Sequence, residues 1–158
     1  PPRSTLFPYT TLFRSSQGAE EGEKIQGIAP VGWHIPTKAE WDFLINSCDQ
    51  GNGPATELKD KNLWHPDATN IGTNSAHFNM AGTGYIWTLT EHSVIEAFMT
   101  TYFWTATAPK AGDIYPWNPP VENFPNQAVT YGFNVNDFGA ALYPYDRTRG
   151  FSVRCVLD

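Results

Sequence analysis

Four histidines, His34, His65, His77 and His92, are the side chains in this sequence that most readily suggest metal or acid–base chemistry. Histidine pairs that bind a metal from one helix stand four residues apart, and no two of these have that spacing. His34 is expected to pack and hydrogen-bond, whereas His65 and His77 flank a polar segment and could approach each other. Serine, histidine and aspartate residues also occur, but without the Gly-x-Ser-x-Gly turn that exposes a nucleophile. We therefore expect no enzyme activity.

Two short segments contain the clustered carboxylate and amide side chains that a calcium ion requires. They are residues 122–126 (Glu-Asn-Phe-Pro-Asn) and residues 134–137 (Asn-Val-Asn-Asp). The alternative is that these side chains fix turns by bonding to nearby backbone groups, as Asn and Asp commonly do. The turn interpretation is favoured, so no cofactor and no metal are expected, with calcium as the alternative.

Residues 110–126 are rich in proline and aromatic residues, and they are the best candidate for a surface that binds a partner. The candidate contact residues are Tyr115, Trp117, Asn118, Phe124 and Asn126. Sugar rings stack on flat aromatic faces while amide groups satisfy sugar hydroxyls, and prolines reduce the entropy lost when a loop is held in one shape. The alternative is that Trp117 folds inward and covers a sheet.

A helix over residues 38–49 is the firmest structural prediction from the sequence. Thr37 and Glu40 have the spacing of a capping box, and Pro36 favours an extended approach. One apolar face follows at helical spacing: Trp41, Leu44, Ile45 and Cys48. Gly51 then provides a left-handed stop.

The remainder of the chain is predicted to consist of short strands and long loops. A second short helix is expected over residues 55–61, followed by an irregular loop over residues 62–77. The predicted strands are residues 78–86, 102–108, 128–135, 140–143 and 151–157.

Composition excludes two classes of function. The formal net charge is −6, and the ten Lys and Arg residues are scattered rather than gathered on one segment. A nucleic-acid-binding protein should present a basic face, so no nucleic-acid partner is expected. No apolar run approaches the roughly 20 residues that span a bilayer, so no membrane span is expected in this chain.

The first fifteen residues contain a near mirror repeat, Arg-Ser-Thr-Leu-Phe against Thr-Thr-Leu-Phe-Arg-Ser. Residues 1–15 resemble a translated sequencing adapter of the kind found in metagenomic assemblies, and they are excluded from the fold prediction. The true N-terminus and any export signal are then expected to be missing. The alternative is an apolar strand that pairs with a sheet edge. Residues 16–27 are predicted to be a polar linker, and the domain is predicted to span residues 28–158.

Two motifs resemble the Fibrobacter succinogenes major paralogous domain: residues 32–41 (Gly-Trp-His-Ile-Pro-Thr-Lys-Ala-Glu-Trp) and residues 150–156 (Gly-Phe-Ser-Val-Arg-Cys-Val). Glu57-Leu58-Lys59, residues 78–85 and residues 103–107 fall between them in that family's order. The resemblance implies an α+β, C-type-lectin-like fold related to formylglycine-generating enzymes, with short antiparallel strands. The motif residues are expected to be structural: Trp33, His34, Thr37, Glu40, Trp41 and Arg154.

Cys48 and Cys155 are compatible either with two free thiols in a cytosolic protein or with one disulfide in a secreted protein. The resemblance favours the disulfide, because C-type-lectin-like folds commonly join the first helix to the last strand in this way. The family usually has a cysteine where this chain has Ala29, which makes Cys48 the expected partner of Cys155. The related enzymes use two neighbouring cysteines, and this chain has only Cys155 there.

The resemblance implies little chemistry, because the family has no established activity. We expect a non-catalytic bacterial module, secreted or on the cell surface, that serves recognition or adhesion by contacting a glycan or a protein. The alternative is a structural subunit that self-associates into an extracellular filament or another surface polymer.

Overall fold

The computed structural model describes residues 24–87, 93–110, 115 and 126–158, together with the backbone of residues 6–7. These residues form an α+β fold with helices α1 (Lys38–Cys48) and α2 (Pro54–Leu58). The strands are β1 (Leu6–Phe7), β2 (Trp33–His34), β3 (Thr100–Trp104), β4 (Gln127–Asn134), β5 (Ala141–Asp146), β6 (Phe151–Ser152) and β7 (Val156–Leu157). One sheet has the order β1-β6-β3-β4-β5, and β2 pairs with β7 in a separate two-stranded sheet. Only the β3–β6 pair among these is parallel.

The two faces of the larger sheet differ because successive strand residues point to opposite sides. Phe103 pairs with Tyr131, and Tyr102 pairs with Gly132. Phe103 and Tyr131 therefore lie on one face, and Tyr102 lies on the other. Tyr131 also pairs with Leu142, which places the next residue, Tyr143, on the same face as Tyr102.

Helix α1 covers the face that carries Phe103 and Tyr131, through Trp41. The indole of Trp41 is buried, and its ring centroid lies 5.1 Å from that of Phe103, 5.6 Å from Tyr131 and 6.2 Å from Phe133. The capping box is formed, with Thr37 as the N-cap and Glu40 at the third helical position. The predicted helix and its packing on β3 are thus confirmed, and the helix ends one residue earlier than predicted.

The predicted strand over residues 78–86 is wrong. This segment forms only isolated bridges, at Met80, Gly84, Tyr85 and Ile86. Asn79 and Gly84 have φ values of 56° and 67°, which interrupt an extended chain.

The predicted strand over residues 151–157 divides into β6 and β7, because the chain leaves the larger sheet after Ser152 and joins β2 at Val156. Helix α2 spans Pro54–Leu58 and so stops three residues short of the predicted 55–61. The predicted strands 102–108, 128–135 and 140–143 correspond to β3, β4 and β5, with ends that shift by one to four residues.

The N-terminal segments contribute to the fold at two points. Leu6 and Phe7 pair antiparallel with Ser152 and Phe151, which is the arrangement expected if residues 1–15 supply an edge strand. Ile25 is buried and forms an isolated bridge with Ile35. Ile25 therefore belongs to the core, although the sequence assigns it to a linker.

The predicted disulfide is wrong, because Cys48 and Cys155 are both free. Cys48 lies on the inner side of α1 and packs against the core around Trp41, whereas Cys155 packs against the core around Ile35 and Phe151. Burial raises the pKa of both thiols, and the carboxylate of Glu57 adds to the effect at Cys48.

Neither α1 nor α2 is long and apolar enough to span a bilayer, and no other helix occurs in the described part of the chain.

Candidate functional site: the tyrosine face

The sheet face opposite α1 carries a group of partly exposed aromatic rings around one arginine. We call this group the tyrosine face, and its members are Tyr85, Trp87, Tyr102, Tyr143, Tyr145 and Arg149. The indole of Trp87 is 43% exposed, and the four tyrosines are half-buried. Phe151 is fully buried beneath them and stacks on Tyr102 at 5.0 Å.

Tyr102 occupies the centre of the tyrosine face. Its ring centroid lies 5.5 Å from Tyr85, 5.9 Å from Tyr143 and 5.5 Å from Tyr145. Tyr143 and Tyr145 are two residues apart on β5, so they point to the same side. Their rings stack at 5.6 Å with an interplanar angle of 23°. Such contacts fix the rings relative to one another and add about 0.5–1.5 kcal/mol per pair to the burial of apolar area.

Gly132 on β4 makes room for this arrangement. A Cβ at this position would lie 2.7 Å from the ring of Tyr102 and 2.9 Å from the ring of Tyr143. No side chain other than hydrogen fits beneath the two rings unless they move apart. The glycine therefore allows the rings of Tyr102 and Tyr143 to pack closely over β4.

Arg149 supplies the positive charge of the tyrosine face. Its guanidinium carbon lies 3.5 Å from the ring centroid of Trp87 and 4.3 Å from that of Tyr145. Within the described residues Arg149 forms no ion pair, and its Nη1 is buried without a hydrogen-bond partner. Burial lowers the pKa of Arg149, while the neighbouring Tyr145 and Asp146 oppose that effect. An arginine remains protonated at neutral pH, so the group is a cation held between two rings.

The tyrosine hydroxyls can serve as neutral hydrogen-bonding groups. Burial, assisted by the hydroxyl of Tyr145, raises the pKa of Tyr102, and burial also raises the pKa of Tyr143. These phenols are therefore un-ionised at neutral pH and can both donate and accept. The tyrosine face thus combines apolar rings, neutral hydroxyls and one guanidinium, which can make apolar contacts and hydrogen bonds.

Sequence reasoning missed this site. Tyr143 ends the predicted strand 140–143 and Tyr102 begins the predicted strand 102–108, so both were interpreted as structural residues, and Tyr145 lies outside the predicted strands. The available signal was the alternation Tyr143-Pro144-Tyr145, which places two tyrosines on one face of β5. The pairing of β4 with both β3 and β5 brings those tyrosines to Tyr102.

Of the loop predicted to bind a partner, residues 110–126, the structure describes Lys110, Tyr115 and Asn126. Tyr115 is 6% exposed and packs with Val129 and Leu142, which leaves little of its ring for a partner. Asn126 is exposed, and its carbonyl oxygen accepts a hydrogen bond of 2.9 Å from the backbone N–H of Arg147. Trp117, Asn118 and Phe124 lie outside the described residues.

The motif of residues 32–41 is organised around the buried imidazole of His34. Its Nε2 lies 2.8 Å from Glu40 Oε1, and its Nδ1 lies 2.8 Å from Asp158 Oδ1. The other carboxylate oxygen of Glu40 accepts from the backbone N–H of Thr37 at 2.8 Å. Trp33 and His34 pair with β7. These contacts tie β2, the start of α1 and β7 together, which is a structural role.

Glu57 and Lys59, in the Glu-Leu-Lys motif, are both buried and anchor two loops. The carboxylate of Glu57 accepts hydrogen bonds from Asn52, Thr73 and Ser75. The ammonium of Lys59 donates to the carbonyl oxygens of Asn134, Val135 and Asp137 at 2.7, 3.1 and 2.8 Å. Residues 134–137, one of the two segments considered as a calcium site, thus point three of their backbone carbonyl oxygens at Lys59.

The side chains of that segment act within turns. The amide oxygen of Asn134 accepts from the backbone N–H of Asn136, and Asn136 accepts from Thr69. In the described part of the chain, no three His, Cys, Asp or Glu side chains are grouped so that they could hold a metal ion. His65 is exposed and lies 3.8 Å from Asp67, and His92 lies outside the described residues.

Comparison with known proteins gives one match. The family model of the Fibrobacter succinogenes major domain matches residues 16–157. No curated protein and no solved structure matches the chain significantly. The matched region contains both helices, β2 to β7, the contact of His34 with Glu40, the Lys59 network and the tyrosine face. The chain therefore belongs to the Fibrobacter succinogenes major domain family.

Proposed function

We propose that this domain is a non-catalytic recognition or adhesion module that binds glycans through the tyrosine face. The observation that carries the proposal is a packed group of five aromatic rings, four half-buried tyrosines and the exposed Trp87, with a stacked arginine. Contiguous apolar patches of this kind on soluble proteins commonly mark interaction sites. Sugar rings present C–H groups to aromatic faces, and the tyrosine hydroxyls and Arg149 can bond to sugar hydroxyls.

Glycan binding can be tested with an array of oligosaccharides and polysaccharides, followed by calorimetry on the ligands that bind. Trp87→Ala removes the most exposed ring of the tyrosine face and should weaken binding by about 2 kcal/mol or more, as loss of an interface aromatic does. That change corresponds to about thirtyfold in Kd. Tyr143→Phe keeps the ring and removes one hydroxyl, so it should have a smaller effect.

Phe138→Ala is the matched control, because Phe138 is 58% exposed and lies outside the tyrosine face. It should leave glycan affinity unchanged. The proposal fails if no glycan binds, or if Trp87→Ala and Phe138→Ala have the same effect. Circular dichroism of each variant separates loss of binding from loss of fold.

A second candidate function is that of a structural subunit in an extracellular filament. The observation that favours it is the pairing of β1 with β6, because β6 takes up an extra strand at the sheet edge. A sheet edge of this kind can also accept a strand from another chain. Removal of residues 1–15 should then promote self-association, measured by sedimentation and electron microscopy. A truncated chain that remains monomeric at high concentration would exclude this candidate.

The proposal includes an extracellular or cell-surface location and a C-type-lectin-like fold. The position of α1 next to the segment Arg154–Val156 supports the fold relation, because C-type-lectin-like folds bring the first helix close to the last strand. Cell fractionation of the source bacterium with an antibody against this domain would test the location.

A further inference from the structure

A groove of about 510 Å³ runs along α1 on the other side of the sheet from the tyrosine face. We call it the α1 groove, and the lining residues that matter here are Ala39, Phe43, Leu44, Phe78, Arg154 and Val156. Its volume lies within the range of roughly 300–1,000 Å³ that is usual for small-molecule sites. Phe43 is 75% exposed, although it is a large apolar residue in the middle of a helix.

Among the described residues that line the α1 groove, Arg154 is the only cationic side chain. Its guanidinium carbon lies 4.4 Å from the ring centroid of Phe78. Arg154 forms no ion pair with any other described residue. Burial lowers its pKa, but an arginine stays charged at neutral pH. Within the described part of the chain, this half-buried cation beside an apolar surface therefore has no anionic partner.

Glu40 also lines the α1 groove, but its carboxylate already has partners. One oxygen accepts from the backbone N–H of Thr37, and the other lies against His34. Glu40 therefore does not neutralise Arg154. The remaining polar groups in the described lining are the Ser47 hydroxyl, the Cys155 thiol and the indole N–H of Trp41, which is buried without a hydrogen-bond partner. A peptide would bring backbone N–H and C=O groups that need partners, and this lining offers few.

We propose that the α1 groove binds an alkyl carboxylate, with the carboxylate on Arg154 and the alkyl chain against Phe43, Leu44 and Val156. Arginine presents a planar pair of N–H groups that matches the two oxygens of a carboxylate. The apolar wall favours an alkyl chain, because burying it removes apolar area from water at about 25 cal/mol per Å². This site is separate from the tyrosine face and does not depend on glycan binding.

The test compares three ligands that share one alkyl chain: octanoate, 1-octanol and octylammonium. Binding is measured by calorimetry and by backbone amide chemical shifts of the isotope-labelled protein, at concentrations at which each ligand is monomeric. Octanoate should bind at least about tenfold more tightly than 1-octanol, the factor that one charge-assisted hydrogen bond supplies. Octylammonium should bind more weakly than both. The backbone amide chemical shifts that change on binding should belong to α1 and residues 154–156.

Arg154→Gln should abolish the preference for octanoate over 1-octanol, and Phe43→Ser should weaken both. Arg147→Gln is the matched control, because Arg147 is not among the groove residues; it should keep the preference. The proposal is overturned if the three ligands bind the wild-type protein equally or not at all, or if the shifts map elsewhere. The proposal is also overturned if sedimentation shows that the protein is a dimer in which α1 lies in the interface. If Arg154→Gln does not fold, the comparison of the three ligands on the wild-type protein still decides the proposal.

Discussion

Lys59 places an ammonium group inside the protein, where three backbone carbonyl oxygens accept its hydrogen bonds. The side chain is 0% exposed, and the nitrogen lies 4.9 Å from the ring centroid of Trp64. The carbonyl oxygens belong to Asn134 at the end of β4 and to Val135 and Asp137 in the turn that follows. A single residue thus supplies both the positive charge and the donors that hold residues 134–137 in place.

Replacement of Lys59 by methionine should be strongly destabilising. Met retains most of the apolar stem but leaves three carbonyl oxygens without their donor, at a cost of about 1–3 kcal/mol for each one that stays buried. We expect the free energy of unfolding to fall by about 3 kcal/mol or more in urea titrations. Lys61→Met, at an exposed position two residues away, is the control and should stay within about 0.5 kcal/mol of wild type. A loss below about 1 kcal/mol for Lys59→Met would show that the ammonium does not hold the turn.

Burial lowers the pKa of Lys59 from 10.5 to about 8, which makes stability depend on pH. The native state releases this proton before the unfolded chain does, so the unfolded chain binds more protons between pH 8 and 10.5. Stability from this residue therefore rises with pH in that window, by up to about 1.4 kcal/mol per pH unit. The difference in unfolding free energy between wild type and Lys59→Met isolates this effect. A difference that is flat from pH 7 to 10.5 would contradict the lowered pKa.

At the scale of elements, the start of α1 is held by local and distant contacts together. Thr37 and Glu40 form the capping box, and the backbone N–H of Lys38 donates to Thr107 Oγ1 at 2.9 Å. His34 connects Glu40 to Asp158. The helix therefore begins at a fixed residue, and its first turn is tied to the chain segments on either side of it.

Glu40→Gln should change how stability responds to acid. Burial raises the pKa of Glu40, but the backbone N–H of Thr37 and the imidazole of His34 outweigh that effect and hold the pKa below its usual value. The stabilising contribution of the ionised carboxylate is therefore present above about pH 4.5 and is lost as the pH falls through the native-state pKa. Glu40→Gln should be less stable than wild type at pH 7, and the two should converge in acid. Parallel acid curves in urea unfolding experiments would argue against this role.

Gly132→Ala tests how β4 supports the tyrosine face. The added methyl group would contact the rings of Tyr102 and Tyr143 at 2.7–2.9 Å, so the rings must separate. Overpacking of this kind costs about 1–3 kcal/mol, and glycan affinity should fall with it. Gly139→Ala is the control, because a Cβ there meets nothing within 4 Å. Unchanged ring signals in the NMR spectrum of Gly132→Ala would mean that the rings do not lie over this glycine.

Sequence patterns predict the elements whose causes are local. The capping box and the apolar spacing of α1 lie within twelve residues, so they fixed the helix to within one residue. The segment 78–86 reads as a strand from its residue types, but left-handed Asn79 and Gly84 prevent it. The tyrosine face escaped prediction because it depends on the pairing of β3, β4 and β5, which residue types alone do not specify.

At the scale of the whole molecule, the larger sheet separates two surfaces with different chemistry. The side covered by α1 has a dense core around Trp41 and, beside the helix, the apolar α1 groove. The opposite side has a second core around Phe151, against which Tyr85, Tyr102 and Tyr145 pack, and it exposes Trp87. Because the sheet lies between them, a ligand on one side leaves the other side accessible. Substitutions in one surface should therefore leave binding at the other unchanged.

We predict that Cys48 and Cys155 remain free thiols in the folded protein, so that no covalent bond links α1 to the end of the chain. Because Cys48 and Cys155 pack in different cores, folding does not bring their sulfur atoms together. Iodoacetamide should label both thiols in denaturant without any reductant, and mass spectrometry should find one label on each. In the native state the reaction should be slow at neutral pH, because burial raises the pKa of both thiols.

Reductant should also leave the urea unfolding midpoint unchanged. A disulfide that closes a loop of roughly 100 residues would contribute about 4–5 kcal/mol, so its reduction would shift the midpoint clearly. The free-thiol arrangement would be rejected if iodoacetamide labelled neither cysteine before reduction and if reductant lowered the urea unfolding midpoint. Without that covalent link, the attachment of the chain's last strand to α1 depends on the pairing of β2 with β7 and on the contacts of His34 with Glu40 and Asp158.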